Sequence, residues 1–135
     1  MSAGINVNFY DTDADGIERI FGVNWLGHFY ALNQLYPLIR KTSKMPDTPA
    51  PRIIWEASEN HRMARQDIHF GSLEEINDPE FGPTNYYARS KLAIILGNKF
   101  GLVGKVIQPN GDNIFAVTLH PGMVCYPSNV RQDYR

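Results

Sequence analysis

The pentapeptide Tyr87-Ala88-Arg89-Ser90-Lys91 places a phenol and an ammonium four residues apart. On a helix, positions i and i+4 share a face, so both groups can meet one ligand. A free tyrosine titrates near pH 10 and is a poor acid or base at neutrality. A cation held beside it favours the phenolate and brings the phenol towards the working range. Taken alone the pattern says little: shuffled chains of this composition show it about one time in four, and a solvated helix face carrying a lysine accounts for it equally well.

Three other places could take part in chemistry. Ser58 directly follows the run Arg52-Ile53-Ile54-Trp55-Glu56-Ala57. A side chain there emerges at the carboxyl edge of a parallel sheet, where open α/β sheets bind ligands, and its hydroxyl can donate to a carbonyl oxygen. An ordinary turn-capping serine is the plainer reading. Asn24 lies in an apolar stretch, where an unpaired amide would cost about 1–3 kcal/mol. It therefore either satisfies neighbouring backbone or holds a water in a site. Pro121-Gly122 makes a sharp exit from a second apolar run and lets backbone approach a ligand closely. His28, His61, His69, His120 and the lone Cys125 lack close ligand spacing, so the sequence gives no metal site.

The elements that must carry these residues follow from periodicity. Asp11, Asp13 and Asp15 offer N-caps for a helix from Ile17 to about Arg40, whose wide apolar face predicts burial on more than one side. Gly22 and Gly27 interrupt it, and Pro37 should kink or end it. The proline-rich stretch 41–51 reads as a surface loop, Arg52–Ala57 as a strand, and 58–83 as a long connection over a site. Thr84 can cap a second helix to about Val103, in which Gly97, Gly101 and Gly104 would serve close packing. Asn113–Leu119 is a largely continuous apolar run, as in a buried parallel strand. Helix, strand, helix, strand in that order means α/β with a parallel sheet.

The 135 residues suit a single domain, 1–135, without internal repeats. A formal charge of −1 gives no reason to expect nucleic acid as a partner, and no run is long and apolar enough to span a bilayer. One cysteine and the lack of a secretory-type N-terminus predict an intracellular, cytoplasmic protein.

Taken together, the segments are similar to the short-chain dehydrogenase/reductases. Val23-Asn24-Trp25-Leu26-Gly27-His28-Phe29 resembles that family's helix motif, and Arg52 to His61 resembles its strand ending in the catalytic serine. Tyr87 to Lys91 resembles its tyrosine–lysine motif, and His120-Pro121-Gly122-Met123-Val124 the loop after the next strand. Ser2-Ala3-Gly4-Ile5 resembles the tail of its Asn-Ala-Gly motif, and the long loop with His61 looks most like retinol-dehydrogenase-like and fungal members.

The resemblance implies the C-terminal half of a Rossmann-type, doubly wound parallel sheet with three strands. It implies an NAD- or NADP-dependent oxidoreductase that interconverts a carbonyl and an alcohol on a small or lipid-like substrate. Tyr87 would be the general acid/base, Ser58 would orient the carbonyl, and Lys91 would lower the tyrosine pKa and contact the nicotinamide ribose. Asn24 would hold a relay water, while Pro121, Gly122 and Val124 would lie against the nicotinamide. The family's glycine-rich phosphate turn has no counterpart here, since Gly97, Gly101 and Gly104 follow no strand. A protein without activity, acting as a residual interaction module or a homo-oligomer through its two long helices, is the alternative expectation. A cut through such a sheet should also leave an apolar face bare and stability marginal.

Overall fold

The structure is a computed structural model that describes residues 1–122. Helical backbone begins with α1 (Arg19–Phe21), widens over Gly22–Leu26, and continues as α2 (Gly27–Ser43). In the widened turn Gly27 N–H donates to Gly22 O, an i→i+5 bond. The cap is not one of the aspartates. Both Glu18 carboxylate oxygens accept from the first free amides, Ile20 N (2.7 Å) and Phe21 N (2.9 Å). Asp13 instead closes the preceding turn by accepting from Asp15 N and Ile17 N. Pro37 does not end the helix, which runs on to Ser43. Only one ladder bond is lost there, and the last turns are anchored from outside. Asp112, its side chain fully buried, is held by Lys44 (2.9 Å), Arg40 (3.2 Å) and Tyr36 (3.0 Å).

Strand β1 (Arg52–Glu56) pairs in parallel with β2 (Phe115–Leu119), with Ile53 opposite Ala116 and Glu56 opposite Leu119. Among the described residues these are the only two strands, so the expected third strand is missing. Residues 1–5 meet β1 through one residue: Met1 N donates to Ile54 O (2.8 Å), and Glu56 N donates to Met1 O (3.1 Å).

The long connection is largely structured, with short turns at Glu59–Met63 and Pro79–Phe81 around α3 (Leu73–Ile76). Then α4 (Gly82–Leu96) begins two residues before Thr84, with Pro83 in its first turn, so Thr84 is not the cap. Past Leu96 the backbone winds on in wide turns over Gly97–Ile107, four residues beyond the predicted end. Of its three glycines, Gly97 packs on the first helix, since a Cβ there would run into the Trp25 indole, and a Cβ on Gly104 would stand 3.3 Å from Lys99 O. Gly101 faces open space.

The helices cover one face of the sheet. Ile53, Trp55 and Ala57 pack with Leu32, Ile94, Leu102, Ile107 and Ile114 into the main core. A second cluster of Ile20, Phe81 and Tyr86, with Ile5, Val7, Ile68 and Tyr87 against it, lies under the long connection. The other sheet face is bare among the described residues: Ile54, Phe115, Val117 and Leu119 are 45%, 59%, 48% and 41% exposed. The apolar run of β2 is therefore covered on one side only, rather than on both as its composition predicts.

Candidate active site

Alternation along β1 sends Trp55 into the core and delivers Ser58 two residues beyond the strand's carboxyl end. Ser58 is extended (φ −153°, ψ 151°), and its Oγ accepts from Asn60 N at 3.3 Å to start the turn that follows. The hydroxyl hydrogen has no acceptor among the described residues, so it is available to a ligand oxygen. His61 Nδ1 lies 2.7 Å from Ser58 O. A carbonyl only accepts, so this nitrogen carries the hydrogen and the imidazole is fixed beside the serine. Ala57 N donates to Leu119 O at 2.8 Å, so Ser58 and the His120-Pro121-Gly122 exit leave the sheet side by side. Gly122 has φ +84°, a backbone state that disfavours any side chain. Val124 lies outside the described residues.

Helix α4 presents Tyr87 and Lys91 to this edge. Lys91 is 4% exposed, and its Nζ donates to Glu56 O at 2.9 Å and sits 5.5 Å from the Tyr87 ring centroid. Desolvation pulls the ammonium below the ordinary lysine range, with the Glu56 carboxylate opposing it. One of its three N–H donors is used, leaving two for a ligand.

Asn24 is fully buried in the widened turn. Its Oδ1 accepts from Ile5 N (2.8 Å), and its Nδ2 donates to Ile5 O and to Ser90 Oγ, both at 3.0 Å. Ser90 in turn donates to Tyr87 O at 2.8 Å. The amide thus spends both donors on protein partners and staples residues 1–5, the first helix and α4 together. This is the backbone-satisfying alternative for Asn24, and no side-chain donor is left over for a water. The Asn24 carbonyl is engaged as well, by His28 Nδ1 at 3.0 Å. Burial, first of all, pushes the His28 pKa down, and the N-terminal ammonium and Lys91 add to this. The backbone of Gly4 passes so close that a Cβ would stand 3.3 Å from Asn24 Oδ1 and 3.6 Å from Lys91 Nζ.

Tyr87, Lys91 and Asn24 are therefore drawn together, with Ser58 and Pro121-Gly122 at the adjoining strand ends. Sequence reasoning gave no role to Ser90 or Glu18 and set His28 aside as a metal ligand without finding its partner, Asn24 O. Of these, His28 at i+4 from Asn24 left a readable signal, whereas a buried Glu18 could be found only from its contacts.

No family model matches the chain. Among curated proteins it is 33% identical to human retinol dehydrogenase 14, over 91% of this chain and 32% of that protein. It is 31% identical to human polyprenol dehydrogenase, over 82% of this chain and 31% of that protein. It is 29% identical to the short chain dehydrogenase/reductase dpchH of Colletotrichum higginsianum, over 91% of this chain and 32% of that protein. A crystal structure of an uncharacterised protein from Mycobacterium paratuberculosis superposes with TM-score 0.67 at 28% identity, covering 88% of this chain and 39% of that one.

The structure thus sets the Tyr87–Lys91 pair of α4 beside the carboxyl ends of two parallel strands. By its relatives and its partial Rossmann-type fold, the chain belongs to the short-chain dehydrogenase/reductase family. It spans about a third of the length of the curated relatives it matches. Among the described residues no helix is long and apolar enough to cross a membrane.

Proposed function

We propose that this chain carries the reacting half of an NAD- or NADP-dependent oxidoreductase that interconverts an alcohol and a carbonyl on a small or lipid-like substrate. The observation that carries the reading is Lys91: a buried cation beside the Tyr87 ring, at the strand end where, among the described residues, two of its N–H donors and the Ser58 hydroxyl hydrogen have no partner. The lipid-like substrate rests on relatives named for retinol and polyprenol.

The residues present fit the nicotinamide-ribose end of such a cofactor. Lys91 and Tyr87 would hold the ribose, and Pro121, Gly122 and Val124 would border the nicotinamide, whose chemistry when bound is to accept or supply a hydride. Its phosphate end finds no match in Gly97, Gly101 and Gly104, because they lie inside a helical run with Trp25 packed on the first.

In the oxidative direction Tyr87 takes the proton of the substrate hydroxyl at Oη, and in the reductive direction it returns that proton to the carbonyl oxygen. Ser58 Oγ–H donates to the same oxygen and holds it in line, while Lys91 Nζ lies beside the Tyr87 ring with donors for the ligand. Asn24 and Ser90 hold the Tyr87 turn of α4 against the first helix. Localisation in a reducing compartment is part of this reading and rests on the single cysteine.

The test is calorimetric titration of the purified chain with NADH and NADPH, followed by turnover assays with a Tyr87→Phe control. Saturable binding with turnover lost in Tyr87→Phe supports the reading; no binding up to millimolar cofactor overturns it for this chain. A second reading, association without catalysis, is favoured by the groove of about 330 Å³ between α2 and the 97–107 turns, lined by Phe29, Leu32, Tyr36, Trp55, Leu102 and Val106. With Phe29 in its lining 52% exposed, this apolar groove suits a second copy of this chain. Sedimentation velocity that finds only monomer at tens of micromolar would remove that reading.

A further inference from the structure

Arg89 sits in the middle of the tyrosine–lysine motif and has been given no role so far. Its side chain points away from the reacting edge. Successive helix residues turn by about 100°, so Tyr87 and Lys91, each two positions away, project from the opposite side of α4. Arg89 is 2% exposed. Its guanidinium donates to Glu75 O at 3.0 Å, to Ile76 O, and to Glu18 Oε2 at 3.4 Å. The group is packed among the rings of Phe81 (4.9 Å), Tyr86 (5.1 Å) and Phe21 (5.9 Å).

Glu18, also fully buried, is the carboxylate that caps the helix carrying Asn24. Asn77 closes the assembly by accepting from Glu18 N (2.8 Å) and donating to Gly16 O (2.6 Å). One buried guanidinium therefore joins the start of the Asn24 helix, the end of α3 and the middle of α4.

An element held only by apolar contacts can rotate a few degrees about its axis at small cost, because such packing is not directional. A planar fork with several acceptors cannot rotate without leaving one of them bare. We propose that Arg89 is a positioning residue: by bonding Glu18 and the α3 carbonyls on one side of α4, it fixes the rotational setting that turns Tyr87 and Lys91 towards the strand ends. This rests on the oxidoreductase reading for its catalytic consequence, but the geometric claim stands apart from it.

Arg89→Met, Arg89→Lys and Glu18→Gln would be compared with Asp112→Asn, which weakens the distant end of the same helices. Two readouts are taken on each folded variant. One is the displacement of the Lys91 ε-methylene NMR signal by the Tyr87 ring, measured against Tyr87→Leu. The other is kcat and KM separately.

Arg89→Met is expected to lose most of that displacement and roughly 10- to 100-fold in kcat, with KM changed less than about threefold. Arg89→Lys keeps the charge without the fork and should fall between. Asp112→Asn should lower the melting temperature without moving either readout. If Arg89→Met does not fold, Arg89→Lys and Glu18→Gln decide the matter by the same measurements. A folded Arg89 variant with an unmoved Lys91 signal overturns the proposal, as does an Asp112→Asn change of the same size. If the wild-type chain shows no turnover, the oxidoreductase reading fails for this chain while the NMR displacement still decides the role of Arg89.

Discussion

Replacing Asn24 with alanine isolates the staple that holds residues 1–5 in place. The substitution removes three hydrogen bonds, to Ile5 N, Ile5 O and Ser90 Oγ, from a side chain with no exposed surface. Leaving a buried polar group unpaired costs about 1–3 kcal/mol. The sum is smaller than three full penalties because Ser90 keeps its bond to Tyr87 O and the half-buried Ile5 can recover water. A net loss of about 2–3 kcal/mol follows, or roughly 6–15 °C in melting temperature for a chain of this length. Circular dichroism melts in the far and near ultraviolet measure the loss, and coincident transitions justify two-state treatment. Hydrogen exchange gives the specific check. The Ile5 amide should be protected in the parent and exchange freely in Asn24→Ala, while amides of β1 stay slow in both. A variant that melts within about 2 °C of the parent with Ile5 still protected would refute the reasoning, since the amide would then not be what holds that segment.

Other perturbations probe other parts of the structure. Gly97→Val should lose stability by about 1–3 kcal/mol or fail to fold, because the new side chain meets the Trp25 ring; an unchanged urea midpoint would contradict this. Lys44, then Tyr36 and Arg40, hold the Asp112 carboxyl below its usual range. A depressed acid stabilises the fold above its unfolded value and loses that contribution as pH falls through the lower folded value. The acid limb of stability below about pH 4 should therefore flatten in Asp112→Asn, as read from urea midpoints against pH. Burial and then Asp112 push the Tyr36 phenol up to about 12, which favours the neutral form in the fold. Its stabilising effect is complete below pH 10 and lost by about 12, so Tyr36→Phe should be less sensitive to that alkaline rise.

Much of the architecture is written locally. Ile53, Ile54 and Trp55 specify a strand by type, and the strand ends bring Ser58 and Pro121-Gly122 to one edge without further information. The Tyr87–Lys91 spacing is enough to put both side chains on one face of α4. Three features needed contacts that the sequence does not display. Glu18 caps its helix only because Arg89, 71 residues away, shares the burial of its charge. Pro37 looks like a terminator, yet Asp112 grips Arg40 and Lys44 beyond it and keeps the last turns wound. Thr84 looks like a cap, but Gly82 at φ +73° and Pro83 start α4 earlier. The apolar pattern of β2 says that both faces could be buried, but not which one would be covered.

The side of the sheet left bare among the described residues also bears on how this protein will behave at the bench. Ile54, Phe115, Val117 and Leu119 form a native oily plateau beside the Arg52 side chain. A solvatochromic dye such as anilinonaphthalene sulfonate will find that plateau on a correctly folded molecule, and the anionic dye will be further drawn by the guanidinium. Bright dye fluorescence, usually taken as the mark of a half-collapsed state, will here accompany a sharp near-ultraviolet spectrum. A dye-based thermal-shift screen will start from a high baseline, so formulation choices for this protein should rest on intrinsic tryptophan emission or calorimetry.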